Sequence, residues 1–305
     1  MEYLRTEGDF PILKDSIVML GKFDGLHRGH QKLIQAAVRG KTELLPAVMA
    51  AFCLSDQFLF SREERRAVAA QMGVDYLIEC PLTEKLRHMS PEDFVFHILV
   101  EKLHASRVLI GDDYRFGYQR SGDSERMKEL GKGFGFETEV IKSEMESGQK
   151  ISSSLIRREL GRGRLERVNA LLGMPFFLDG TVIHGRGLGH RELLPTANLR
   201  PPEEKLMPPY GVYATVSRFD NVSYQGISNV GFKPTVEGDF LGVETYLYDC
   251  SEDLYGKSCR VEFHHFLRPE QKFDTLPELK QQLLKDVEAG RRYFADNSRP
   301  YECQD

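Results

Sequence analysis

The sequence predicts an α/β domain followed by a β domain: a doubly wound parallel sheet with helices, then a small antiparallel β-barrel with a terminal helix. Three observations predict it. Between residue 16 and about residue 140, short apolar runs alternate with amphipathic stretches, the rhythm of strand–helix–strand units. Near Pro175 the apolar spacing turns to period two, as in VYATV (212–216) and VETYL (243–247), and Gly and Pro thicken. The length of 305 residues suits two ordinary domains, placed at 1–174 and 175–305.

In the first domain the expected strands are residues 17–20, 47–52, 76–79, 108–111 and 138–141, and the expected helices are 30–39, 62–72, 91–103 and 124–130. The helix at 91 is the most legible, with Ser90 as N-cap, Pro91 in the first position, and Glu92 and Asp93 in the first turn. Residues 162–173 carry Leu165, Val168, Leu171 and Leu172 at helical spacing. After Pro175 the next helix expected is the terminal one, from about 276 to 294.

Composition sets bounds on function. Hydrophobic content of 41% and charged content of 29% are those of a soluble globular protein. A net charge of −5 lacks the basic excess of a general nucleic-acid binder, and no apolar run reaches the length of a membrane span. The opening MEYLRTEGDF has no apolar signal region, and the five cysteines form no CxxC pair. A reduced, cytoplasmic protein with small-molecule partners, no nucleic acid or membrane partner, and no disulfide framework or structural zinc is therefore expected.

Chemistry concentrates first in residues 16–38: a buried strand, a glycine-punctuated loop and a helix opening near Gly29-His30. The first N–H groups of a helix lack intrahelical partners and carry partial positive charge, so a polyphosphate placed there finds donors waiting. His27 and His30 lie on one side of the first turn and can donate to phosphate oxygens. Metal binding or simple capping would use the same pair. With Gly21, Phe23, Asp24, Gly25 and Gly29, this loop resembles the GxFDGxHxGH signature of the HxGH nucleotidyltransferase superfamily, which implies a Rossmann-like sheet and an ATP site.

Two further segments extend the resemblance. Ile151-Ser152-Ser153-Ser154-Leu155-Ile156-Arg157 is, on its own, a hydroxyl-rich helix start with an Arg one turn inside. It is similar to the superfamily's ISSTxIR motif, with Ser154 where Thr is usual. Gly111-Asp112-Asp113-Tyr114-Arg115-Phe116-Gly117 combines acids, a cation and two rings after a strand, and resembles the flavin-side segment of bacterial FAD synthetases. The implied reaction is adenylyl transfer from Mg-ATP to FMN. The resemblance gives His27 and His30 the triphosphate, Ser152, Ser153, Ser154 and Arg157 the pyrophosphate side, Asp24 the orientation of the loop or metal, and Asp113, Arg115 and Phe116 the flavin. Phe52-Cys53-Leu54-Ser55 departs from that family, which carries prolines after the Phe.

In the second domain Pro195-Thr196-Ala197-Asn198 places a hydroxyl and an amide on one face of an extended segment, suited to a hard Mg²⁺. The same pattern would fit a polar sheet edge. It resembles the PTAN motif of riboflavin kinases, supported by Asn229-Val230-Gly231, Val243-Glu244 and Phe266-Leu267-Arg268. By that resemblance Thr196 and Asn198 hold Mg²⁺ and ATP, Glu244 is the base toward the riboflavin 5′-hydroxyl, and Arg268 faces the flavin. The chain departs from the kinase pattern at His190, Glu192 and Leu193, where the family has Arg, Leu and Gly. The implied function is synthesis of FMN from riboflavin and of FAD from FMN. Its rivals are an FMN adenylyltransferase with a kinase-impaired barrel, and a non-catalytic flavin sensor.

Overall fold

The computed structural model describes residues 1–6, 15–53, 56–183, 196–220, 222–235 and 238–297. The departures at Leu54-Ser55 and at His190, Glu192 and Leu193 lie outside the described residues. The chain forms two compact units, Met1–Ser153 and Ser154–Asp305.

The first unit is built on a parallel sheet. Its strands are β1 (Glu2–Arg5), β2 (Ser16–Gly21), β3 (Ala47–Cys53), β4 (Tyr76–Pro81), β5 (Ala105–Gly111) and β6 (Glu137–Ile141), in the order β1-β4-β3-β2-β5-β6. The chain winds outward from β2 through β3 to β4, then returns to β5 on the other side of β2. Loops leaving β2 and β5 therefore part at a switch point, where a crevice opens beyond the carboxyl ends of the strands. β1 was not among the expected strands: EYLR is a short edge element without an apolar run, held by parallel pairing of Glu2 to Arg5 with Tyr76 to Glu79.

The central strands β2, β3 and β4 are buried on both faces, as parallel sheets require, while the edge strands β1 and β6 are not. Val18, Leu20, Val48, Ala50, Ile78, Val108 and Ile110 pack on one side with Phe94, Val95, Ile98, Leu99, Met127 and Leu130. Helix α1 (Arg28–Gly40), with Leu33, Ile34 and Ala37 buried, lies against β2, β3 and β5. α2 (Arg62–Gln71) starts with a capping box between Ser61 and Glu64, and α3 (Glu84–Arg87) follows β4. The helix expected at 91–103 divides into α4 (Pro91–Phe94), capped by Ser90 as read, and a π-helical stretch, Val95–Val100. There the ladder shifts to i→i+5, as in Glu101 N–H to Phe96 O at 2.9 Å, a change no residue type announces. α5 (Ser124–Phe134) and a short hairpin, β7 (Met145–Glu146) and β8 (Gln149–Lys150), complete the unit.

The second unit begins with α6 (Ser153–Gly161) and α7 (Leu165–Leu172), ahead of the pattern change at Pro175. Packing explains the earlier division: Asn169 Nδ2 donates to Phe263 O at 2.9 Å and its Oδ1 accepts from Phe176 N at 2.8 Å, fastening α7 to the strands. Those strands are β9 (Phe176–Thr181), β10 (Thr196–Leu199), β11 (Gly211–Phe219), β12 (Val222–Thr235), β13 (Gly238–Leu247) and β14 (Ser258–Pro269). They form an antiparallel sheet in the order β10-β13-β12-β11-β14-β9, and an Ile183–Asn198 bridge brings the chain after β9 to β10. α8 (Leu276–Asp296) packs Phe294 and Val287 on Val212, Ala214, Ile227 and Tyr248.

A line of buried hydroxyls crosses this sheet: Thr215 Oγ1 meets Ser228 Oγ at 2.8 Å, which meets Thr245 Oγ1 at 2.7 Å. All three residues are fully buried, so each hydroxyl depends on its neighbour for a partner. Ser228→Ala should strand both outer hydroxyls and lower stability by about 1–3 kcal/mol, read as a reduced denaturant midpoint with unchanged m-value.

Candidate functional site

The β2–α1 loop is shaped by left-handed backbone. Phe23 (φ 51°), Gly25 (φ 80°) and Leu26 (φ 42°) all have positive φ, so the chain turns sharply from β2 into α1. Asp24 is buried and serves the loop itself: its Oδ1 accepts from Leu59 N–H at 2.8 Å and its carbonyl accepts from Ser153 Oγ at 2.8 Å. That second bond ties the start of α6 to the loop after β2. Ser153 thus bridges two of the motifs singled out in the sequence.

His27 is the N-cap of α1, the capping role that stood as an alternative in the sequence, although histidine is not a usual cap. Its Nδ1 accepts from the backbone N–H of His30 at 3.4 Å, which leaves the ring proton of the neutral tautomer on Nε2. The two imidazoles stack with centroids 3.7 Å apart, and the Phe23 ring lies 5.2 Å from His30. Gly29 makes room for this: a Cβ there would lie 3.2 Å from the His27 ring. His30 Nδ1 is buried with no hydrogen-bond partner among the described residues, an orphan that an incoming ligand oxygen would satisfy.

Burial pushes the His27 pKa down to about 4, helped by the nearby Lys150 ammonium. His30 is held well below the ordinary histidine value by burial, then by His27 and by Arg65. Both rings are therefore neutral donors at pH 7. Beneath them Arg65, almost fully buried, pairs with the equally buried Glu79, and Glu79 also meets Arg62 at 3.5 Å and accepts from Tyr3 Oη at 3.2 Å. This network went unread in the sequence because its members stand on separate elements.

The β5 loop lies at the same sheet edge. Asp113 pairs with Lys150 at 2.5 Å and is exposed, and Arg115 is half exposed with Asp123 at 4.0 Å. Phe116, read as a flavin contact, is a core residue here: it is 5% exposed and packs 5.7 Å from Phe94 and 6.1 Å from Tyr114. Ser152 is half-buried, just ahead of α6, and Ser154 and Arg157 stand on that helix, the first exposed and the second half-buried.

In the second unit the antiparallel register gathers a polar face. Asn198 of β10 and Asn229 of β12 both pair with Glu244 of β13, and Thr196 Oγ1 donates to Glu244 Oε1 at 2.8 Å. Asn229 had not been read as a site residue, although period-two spacing from the buried Ile227 pair would have shown its face. A cavity of about 370 Å³ beside this face is lined by Val182, Thr196, Ala197, Leu247 and residues 250–255. Its size is that of a ligand pocket. Arg268, expected at the flavin, is committed to Asp286 of α8 through two bonds of 2.8 and 2.6 Å, a buried fork that fastens the helix to the sheet. Among the described residues no group of three or more His, Cys, Asp or Glu converges on a metal position. Oxygen donors are available at Thr196, Asn198 and Glu244.

Fold and site together define the class: a nucleotidyltransferase-type sheet with an HxGH helix start, joined to an antiparallel β unit with its own oxygen-lined face. The FAD synthetase family model matches residues 10–155, and the riboflavin kinase model matches residues 172–294. The bifunctional riboflavin kinase/FMN adenylyltransferase of Listeria monocytogenes is 34% identical over 92% of this chain and 93% of its own length. That of Escherichia coli K12 is 33% identical over 91% and 92%. The chain belongs to the bifunctional riboflavin kinase/FMN adenylyltransferase family. A solved structure described as a macrolide-efflux protein from Streptococcus pneumoniae is also similar, at 28% identity and a TM-score of 0.83, covering 95% of this chain and 98% of that one. No described helix of this chain is long and apolar enough to cross a membrane.

The depressed His27 value has a consequence for stability. Unfolded, the ring binds a proton near pH 6.5; folded, it does so only near 4. The stabilising effect is complete above pH 6.5, drains as pH falls through that window and levels off below 4, a loss on the order of 3 kcal/mol. His27→Gln should show a shallower fall in melting temperature between pH 6.5 and 4 than the parent protein. Equal slopes in thermal scans would mean that His27 is not held neutral.

Proposed function

We propose that the chain phosphorylates riboflavin to FMN in the second unit and adenylylates FMN to FAD in the first. The observation that carries the second step is the stacked pair of a buried His27 and a half-buried His30 at the start of α1, with an orphaned ring nitrogen. Adenylyl transfer asks little covalent chemistry of the protein: an FMN phosphate oxygen attacks the α-phosphorus of ATP in line and pyrophosphate leaves. Neutral imidazole N–H groups and the α1 N-terminus bind the triphosphate. As negative charge grows on the leaving pyrophosphate, the same field favours protonation of the imidazoles, so donors strengthen where charge develops. Ser152, Ser153, Ser154 and Arg157 keep the pyrophosphate side, and Asp24 orients the loop through Leu59 and Ser153. Asp113 and Arg115 take the flavin side, with Phe116 shaping it from the core.

For the kinase step, Thr196 and Asn198 would hold Mg²⁺ with ATP phosphates and water, a fit supported by their shared face of oxygen donors. Bound there, the ion would neutralise phosphate charge. Glu244 accepts the proton of the ribityl 5′-hydroxyl as the oxygen attacks the γ-phosphorus of ATP, the bond to the β,γ-bridging oxygen breaks and ADP leaves. Thr196 already donates to this carboxylate, which fixes its direction. The Ile183–Asn198 bridge supports reading the sheet as a small barrel.

The test is an assay with riboflavin, ATP and Mg²⁺, and a second starting from FMN, with products resolved by chromatography. His30→Ala should abolish FAD formation from FMN and spare FMN formation from riboflavin. Glu244→Gln should lower FMN formation at least 100-fold and spare FAD synthesis from supplied FMN. Loss of both activities in either variant would sink the two-site assignment.

A further inference from the structure

Lys150 appears in no motif read from the sequence, yet the fold brings it to the crevice between the β2 and β5 loops. Its backbone is fixed on both sides. Its hairpin partner is Met145, and the N–H of the next residue, Ile151, donates to Glu144 O at 2.9 Å. Glu144 in turn pairs with Arg28 at 3.1 Å and Lys32 at 3.3 Å in the first turns of α1. Three residues onward, Ser153 is bonded to Asp24. Lys150 is thus anchored beside the start of α1, while its ammonium reaches the loop after β5, 2.5 Å from Asp113 and 3.8 Å from Asp112. Its charge is felt at His27.

We propose that Lys150 is the ligand of the FMN 5′-phosphate, which it holds between the polyphosphate cradle of α1 and the flavin-side loop. The proposal rests on the adenylyl-transfer reading and adds to it the residue that binds the nucleophile. Two phosphate groups that must approach each other repel, and a lysine ammonium between them offsets that repulsion as a flexible point charge. In the absence of substrate, Asp113 occupies the ammonium. Both partners are solvent-accessible, at 36% and 70% exposure, so exchanging the carboxylate for a phosphate dianion is favourable: Asp113 is released to the flavin side and the lysine gains a doubly charged partner. The neighbouring Asp112 is held elsewhere, through Ser143 N–H at 3.1 Å and the Ser143 hydroxyl, and does not compete as directly.

Steady-state kinetics of FAD formation from FMN by the full chain test this. Lys150→Met, which keeps length and removes charge, should raise KM for FMN at least tenfold while KM for ATP stays within twofold. Lys150→Arg should return KM for FMN to within threefold of the parent. Riboflavin phosphorylation, read in the same samples, reports folding and should not change. An unchanged KM for FMN in Lys150→Met, an effect on ATP instead of FMN, or an arginine variant as impaired as the methionine one would each overturn the assignment. If the parent chain makes no FAD from FMN, the adenylyl-transfer reading itself fails, an outcome distinct from these.

Discussion

The bond from His30 N–H to His27 Nδ1 sets the conditions for the rest of the proposed phosphate site. As a cap, it satisfies one of the orphan donors at the start of α1 and so fixes where the helix begins. As a tautomer switch, it assigns the remaining proton of His27 to Nε2. As a geometric restraint, it lays the two rings 3.7 Å apart, an arrangement that a Cβ at position 29, 3.2 Å from the His27 ring, would crowd. The unusual backbone at Phe23, Gly25 and Leu26 exists to deliver His27 to this place, and the Asp24 bonds to Leu59 and Ser153 hold that backbone there.

Much of this was legible in the sequence, for physical reasons. Strands buried on both faces must be continuous apolar runs, so β2, β3, β4 and β5 stood out, and a glycine-rich loop between such a strand and an amphipathic helix has few other uses. The Ser90-Pro91 helix start was readable because capping is local chemistry. What escaped was long-range. β1 has no pattern of its own and exists because β4 offers an edge. α7 packs with the strands of the second unit because Asn169 bonds to Phe263 and Phe176, which no periodicity records. Phe116 could not be told from a surface aromatic until its neighbours Phe94 and Tyr114 were known. Arg268 was read for its chemistry toward a ligand, and its pairing with Asp286 was not visible in the sequence.

The two halves solve one problem, the handling of phosphate, in opposite ways. In the proposed reading, donors meet the anion in the sheet unit, where backbone N–H groups and imidazoles cluster at a helix start. In the β unit the same reading relies on acceptors: Thr196, Asn198, Asn229 and Glu244 stand on three adjacent strands, and a surface of oxygens would suit a phosphate through a cation. The hydroxyl line of Thr215, Ser228 and Thr245 serves that second arrangement from inside. By locking the register of β11, β12 and β13, it keeps Asn229 and Glu244 on the outer face, since a slip of one residue would turn both inward.

The charge beneath the histidines completes the electrostatic argument. Arg65 is buried within influence of His30, and an unpaired guanidinium there would bind anions indiscriminately and destabilise the fold. Glu79 pairs with it, accepts a hydrogen bond from Tyr3 and also forms an ion pair with Arg62. Two guanidinium groups face one carboxylate, so the floor of the site keeps a positive balance beneath uncharged histidines. In the adenylyl-transfer reading proposed above, that balance favours a polyphosphate, whose charges are spread along its chain, and the field of the bound chain would then favour protonation of the rings.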